Sequence, residues 1–174
     1  LQEHFALRVA RAHSVTGRQE LLDDANSPIA HRHSLREMGL PNMPAAGIPR
    51  AANITSLRMP PALYELAKLD TISDEAIMAN AVNKGDGIHG RPNRVLGLNG
   101  EQRIGRYGWK ADIAKLEEMV GFAYANELGI SNPLAPMPGL TRDVTALDDD
   151  DGSAVRAVAA YLHSLQLPPR HKLP

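Results

Sequence analysis

Glu127, Trp109 and the pair His31 and His33 are the residues here whose types and settings could do chemistry. From Asp112 onward Ile113, Leu116, Val120, Ala123 and Tyr124 recur at three- and four-residue steps, the period of one helix face. At about 100° per residue, Glu127 falls inside that apolar stripe, while Lys115 and Glu118 point elsewhere. A carboxyl so placed would be partly desolvated and close to the negative end of the helix dipole. Both effects favour its protonated form, which suits a general acid or base. The other reading is a wet residue in a fraying last turn. His31 and His33 could share a metal on a strand or loop but diverge on a helix, where they are plain solvated histidines. In the glycine-rich stretch 83–94, Asn83, Asp86 and Asn93 offer hard oxygens for a calcium ion. They lack EF-hand spacing, so a simple turn is the other reading. The sequence holds no HExxH and no serine triad signature.

The elements that would position these residues read as helices and loops. Leu1 to Ala12 places Phe5, Val9 and Ala12 on one helical face, and a second short helix fits 18–25. Three prolines between 41 and 49 make that segment coil. Pro60 and Pro61 can open a helix to about Lys68 with Leu63 and Leu66 facing a core, because a first turn needs no proline N–H. Thr71 or Ser73 caps the next helix, with Asp74 and Glu75 in its first turn. Asn99-Gly100 signals a hairpin over 95–103. Asp112 is the expected N-cap of the central helix and Gly129 its stop. The acids Asp148 to Asp151 precede a last helix from Ser153 to about Leu165. They favour its positive end, and Val155, Val158, Leu162 and Leu165 form its apolar face. His163 reads as an edge residue beside that stripe.

The chain has 174 residues, enough to bury a core, but aromatics are only 4% and there are 14 Gly and 13 Pro. A loop-rich, aromatic-poor chain needs support beyond its own core, and with no cysteine that support is not a disulfide. A net charge of −1 with scattered basic residues gives no nucleic-acid footprint. No apolar run reaches membrane-spanning length. The start at Leu1, without a signal-peptide pattern, reads as a processed chain or a piece of a longer one.

GRYGWKADIAKLEEMVGFAYANELGISNP (105–133) resembles the di-haem oxidoreductase family, relatives of the bacterial di-haem cytochrome c peroxidases. Arg58-Met-Pro-Pro-Ala-Leu, Leu69-Asp-Thr-Ile-Ser-Asp-Glu-Ala-Ile, Asp86-Gly-Ile-His-Gly-Arg-Pro-Asn and the helix and Leu-Pro-Pro-Arg exit at 155–170 are similar too. The resemblance covers the chain from Arg50 on, and divides it into an N-terminal helical and proline-rich segment, 1–49, and an inter-haem region, 50–174. It implies a mainly α fold, a loop-rich helical segment of a c-type cytochrome peroxidase with few or no strands. The implied activity is haem-based electron transfer and peroxide reduction in the periplasm. Trp109 would be the electron relay and Glu127 the acid–base residue. Arg58 and Arg106 would bind the cofactor, and His31 or His33 would offer an axial ligand. The family attaches haem c through two Cys-x-x-Cys-His motifs that this chain lacks, so haem would be held by flanking segments or a cytochrome subunit. A small electron-donor protein is the other implied partner. The alternative is a haem-less scaffold docking on a cytochrome.

Overall fold

A computed structural model gives the fold and describes residues 6–12, 19–20, 36–39, 41, 47–48, 50–82, 85, 87–135 and 148–169. The chain divides into two units, Leu1–Pro60 with Pro138–Asp143, and Pro61–Met137 with Val144–Pro174.

The first unit is a small sheet. Its central strand β1 (Ala6–Ala12) runs antiparallel to β2 (Gln19–Glu20) and, on its other side, to β3 (Ile54–Arg58). Ala6 stands opposite Arg58, and Ala10 opposite Ile54. Along β3, Ile54, Ser56 and Arg58 are half-buried between exposed neighbours, the two-residue period of a strand. The helices expected over 1–12 and 18–25 are therefore strands where the structure describes them. Residues 5–12 carry both periods: Phe5, Val9 and Ala12 fit a helix, while Leu7 and Val9 alternate with Arg8 and Ala10. Pairing with residues almost fifty positions away decides between them, and no local pattern records it.

The second unit carries the helices. A 3-10 turn, Leu66–Thr71, replaces the α-helix expected after Pro61. Glu65, in the left-handed region at φ 56°, breaks any continuous helix through it, and Leu63 is left half exposed. Helix α1 (Asp74–Ala79) is capped by Ser73, whose hydroxyl accepts from the Ala76 amide. Strands β4 (Arg94–Leu96) and β5 (Gln102–Ile104) form the expected hairpin, with Gly100 at φ 76° in its turn. Helix α2 (Leu116–Ala123) runs into a π-helical turn, Tyr124–Leu128, that ends at Gly129 with φ 72°. Helix α3 (Ser153–Ser164) closes the unit.

Tyr107, Ile113, Leu116 and Val120 pack with Val155, Ala159 and Leu162 of α3 and with Ala67 as one core. Each buried Val, Leu or Ile side chain here contributes about 1.5–3 kcal/mol. Helix α3 starts where Asp149 and Ser131 hold each other: the Ser131 amide and hydroxyl donate to Asp149 Oδ2 at 3.0 and 2.9 Å. Asp150 and Asp151 accept from the Gly152, Ser153 and Ala154 amides, so these acids cap the helix as the sequence suggests.

The expectation of a mainly α chain, a loop-rich helical segment with few or no strands, is overturned by the five strands in two antiparallel sheets found among the described residues. Among the described residues, no helix is long and apolar enough to cross a membrane.

Candidate functional site

The segment between β5 and α2 is a clamped loop that displays Trp109. The Arg106 and Tyr107 amides donate to the Ile113 carbonyl at 2.8 and 2.9 Å, and the Ile113 amide returns a bond to Tyr107 at 3.1 Å. Gly105 makes this closure possible, since a Cβ there would lie 1.8 Å from the Ala111 carbonyl oxygen. Within the loop Ala111 is held at φ 51°, a left-handed conformation that costs about 1–3 kcal/mol. Asn93 offsets it from outside: its side-chain amide donates to the Lys110 and Ala111 carbonyls at 3.2 and 3.1 Å, and its own carbonyl accepts from Gly105 at 2.9 Å. The expected cap residue Asp112 belongs to this loop, where its carboxylate lies against Gly108; the N-cap of α2 is Lys115. Trp109 at the tip is 54% exposed.

Beside the loop lies a cleft of about 560 Å³, floored by Ile104, Ala114 and Leu116 and ringed by charge. Arg106 crosses one side as a clamp. Its Nη1 donates to the Ile104 carbonyl at 2.9 Å, and its Nη2 reaches the Ile72 carbonyl at 2.8 Å and Asp74 Oδ1 at 2.6 Å. Arg103 pairs with Glu101 and stands 3.6 Å from Glu118, which is only 3% exposed. A carboxylate buried that far needs such a partner. On the opposite side His163 Nε2 is 3.8 Å from Asp70 Oδ2, a contact too long for a hydrogen bond. Tyr107 is 1% exposed, and burial, then the neighbouring Asp70 carboxylate, pushes its phenol well above the ordinary tyrosine range.

Of the residues singled out from sequence in the second unit, Arg106 lines the cleft and Trp109 stands at the tip of the loop beside it, and Glu127 is not part of the cleft's lining. Glu127 is exposed, and the expected burial belongs to its neighbour Asn126, 2% exposed, with its side-chain amide donating to the Phe122 carbonyl at 2.9 Å. The cause is the π turn: its wider repeat breaks the 100° step on which the placement of Glu127 relied. Arg106 is engaged by three acceptors within the fold and acts as a brace. Arg58 ends β3, with its Nε 3.3 Å from the Ser56 hydroxyl, in the first unit. His31 and His33 lie outside the described residues, as do Asn83 and Asp86 of the suggested calcium loop, and the side-chain amide of Asn93 braces the Trp109 loop. Among the described residues no group of three or more His, Asp or Glu could hold a metal ion.

Sequence reasoning missed Asp70, Lys115 and Tyr107 as neighbours in one site, because the residues around the cleft come from separate elements. His163 gave the one usable sign, a titratable side chain one position off the apolar stripe of α3.

Comparison of the chain with protein-family models, with curated proteins and with solved structures found no match in any of the three.

Proposed function

We propose that this chain is part of a di-haem c-type cytochrome oxidoreductase of the peroxidase type, exported to the periplasm, in which it supplies the protein wall beside haem groups attached elsewhere. The observation that carries this reading is the Trp109 loop. The stretches that resemble the di-haem family, 69–77, 86–93 and 105–133, supply its clamps: Asp74 and Ile72 on Arg106, and Asn93 on Lys110 and Ala111. All that bracing holds the backbone of the loop that carries the half-exposed Trp109 indole.

With no cysteine, the chain offers no thioether anchor, so its fit to haem is limited to that of a wall. Haem would supply the redox chemistry. Trp109 would supply an apolar, oxidisable ring at a set position, and Asn93 and the left-handed Ala111 would hold it there. Glu127 is the carboxylate this reading leaves for proton transfer, desolvated only if covered from outside the chain.

The test uses the natural haem-loaded protein. Trp109→Phe should slow electron transfer between the haems while leaving the melting temperature unchanged, and equal rates in the two proteins would remove the relay.

A further inference from the structure

Asn99 is the only asparagine in the sequence that precedes a glycine, and the fold sets the pair, exposed, at the tip of the β4–β5 hairpin. The Gly97 amide closes the loop by donating to the Glu101 carbonyl at 2.9 Å, and the Gly100 amide donates to the Gly97 carbonyl at 3.0 Å. Gly100 turns the chain at φ 76°, and among the described residues nothing beyond its chain neighbours lies within 4 Å of where a Cβ would stand. Its nitrogen therefore lacks the shield that a side chain would place beside it, and the bond across the turn is what holds it away from the Asn99 side chain. Asp151-Gly152, a similar pair, is held differently: Asp151 accepts from the Ser153 amide, and Gly152 donates to Asp150. Beside the hairpin tip stands a pair of charges that depends on the length of the loop. Glu101 lies over Gly97, where a Cβ would come within 2.6 Å of its Oε1, and there it pairs with Arg103. Arg103 in turn is the cation 3.6 Å from Glu118, which is only 3% exposed.

We propose that Asn99 is a site of spontaneous deamidation, and that its isoaspartate product loosens the hairpin and the hold of Arg103 on Glu118. The Gly100 nitrogen attacks the side-chain amide carbon of Asn99, its proton leaves with the amide nitrogen as ammonia, and a cyclic imide forms. Water then opens the imide at either carbonyl. Opening at one gives aspartate, which keeps the backbone and adds a carboxylate two residues from Glu101. Opening at the other gives isoaspartate, in which the main chain runs through the former side chain and the loop is longer by one methylene. Loop length sets hairpin register, so the Gly97–Glu101 closure and the Glu101–Arg103 pair shift in the isoaspartate form. A carboxylate as buried as Glu118 is strongly destabilising once its partner is withdrawn. The site is independent of haem and of Trp109, so it stands or falls separately from the proposed function.

The test incubates the full chain in mildly alkaline buffer, which favours the attacking nitrogen, and follows its peptides by mass spectrometry with separation of aspartate from isoaspartate. Asn99 should convert to a mixture of the two. The Asn99→Gln variant, whose ring would be one atom larger, should show no conversion at that position and should melt after incubation as it does when fresh. The isoaspartate form, isolated by ion exchange, should melt about 2 °C or more below the fresh chain, and its amides at 94–104 should exchange faster with solvent. Asn99→Asp carries the new charge on an unchanged backbone and should melt with the parent. Survival of Asn99 under conditions that convert the free peptide of residues 95–104 would overturn the proposal. So would an isoaspartate form that melts with the fresh chain, or an Asn99→Asp variant that melts as low as the isoaspartate form.

Discussion

Asn126 and Glu127 are adjacent, and the fold treats them oppositely. Asn126 is buried with its side-chain amide on the Phe122 carbonyl, whereas Glu127 faces solvent. Asn126→Ala should therefore lower the unfolding free energy by about 1–3 kcal/mol in a denaturant titration, since a buried polar partner is lost. Glu127→Gln should leave it within about 0.5 kcal/mol. A regular helix would reverse that order. Tyr107 gives a pH prediction at the same scale. Its folded-state phenol is held above the ordinary range, burial being the larger cause. A group whose pKa is raised on folding contributes stability that is whole below its unfolded pKa and lost as pH rises from there. Denaturation midpoints should fall as pH climbs past about 10, and Tyr107→Phe should flatten that fall. The helical stripe led to Glu127 because a single extra residue in a turn leaves no mark in a pattern of apolar residues.

At the scale of elements, the parts legible in the sequence were those whose cause is local. Ser73, the Asn99-Gly100 turn, Gly129 and the acids before Ser153 each act on a backbone group within a few residues, and each is found at its expected place. The β1 and β3 strands, the Trp109 loop and the cleft depend on partners far along the chain, and there sequence pattern was silent or misleading. Gly121 belongs to the second kind. A Cβ there would come within 2.7 Å of the Leu134 carbonyl, where buried Asn132 also ties the chain back by donating to the Gly121 carbonyl at 3.0 Å. Gly121→Ala should cost about 1–3 kcal/mol by overpacking, although alanine favours an isolated helix. A stabilised protein in the same denaturant titration would contradict that packing. The start of α3 adds an acid-sensitive contact. Asp149 and Asp151 are held below the ordinary aspartate range by hydrogen bonds, from the Ser131 amide and hydroxyl and from Ser153 respectively. Carboxyls depressed on folding add stability that is present above their unfolded pKa and lost as pH falls through the folded one. The amides of 131 and 149–154 should exchange faster with solvent at about pH 2 than intrinsic rates predict, while those of the β4–β5 hairpin follow the intrinsic trend.

At the scale of the molecule, a core drawn from Tyr107, three helical elements and the loop before α2 supports a surface on which Tyr64, Trp109, Leu128 and Tyr161 are half exposed or more. Such side chains gain most from a neighbour that covers them. With a half-exposed indole on a braced loop, no cysteine, and the braces from Ile72, Asp74 and Asn93 inside stretches that resemble the di-haem oxidoreductases, that neighbour is proposed to be haem held by other polypeptide. The claim is tested most directly by the absorption spectrum of the natural protein that contains this chain, isolated intact from its own cell and recorded before and after reduction with dithionite. The account predicts a Soret band with the shifted, sharpened visible bands of reduced c-type haem. A colourless protein, stable and unchanged by dithionite, would contradict it.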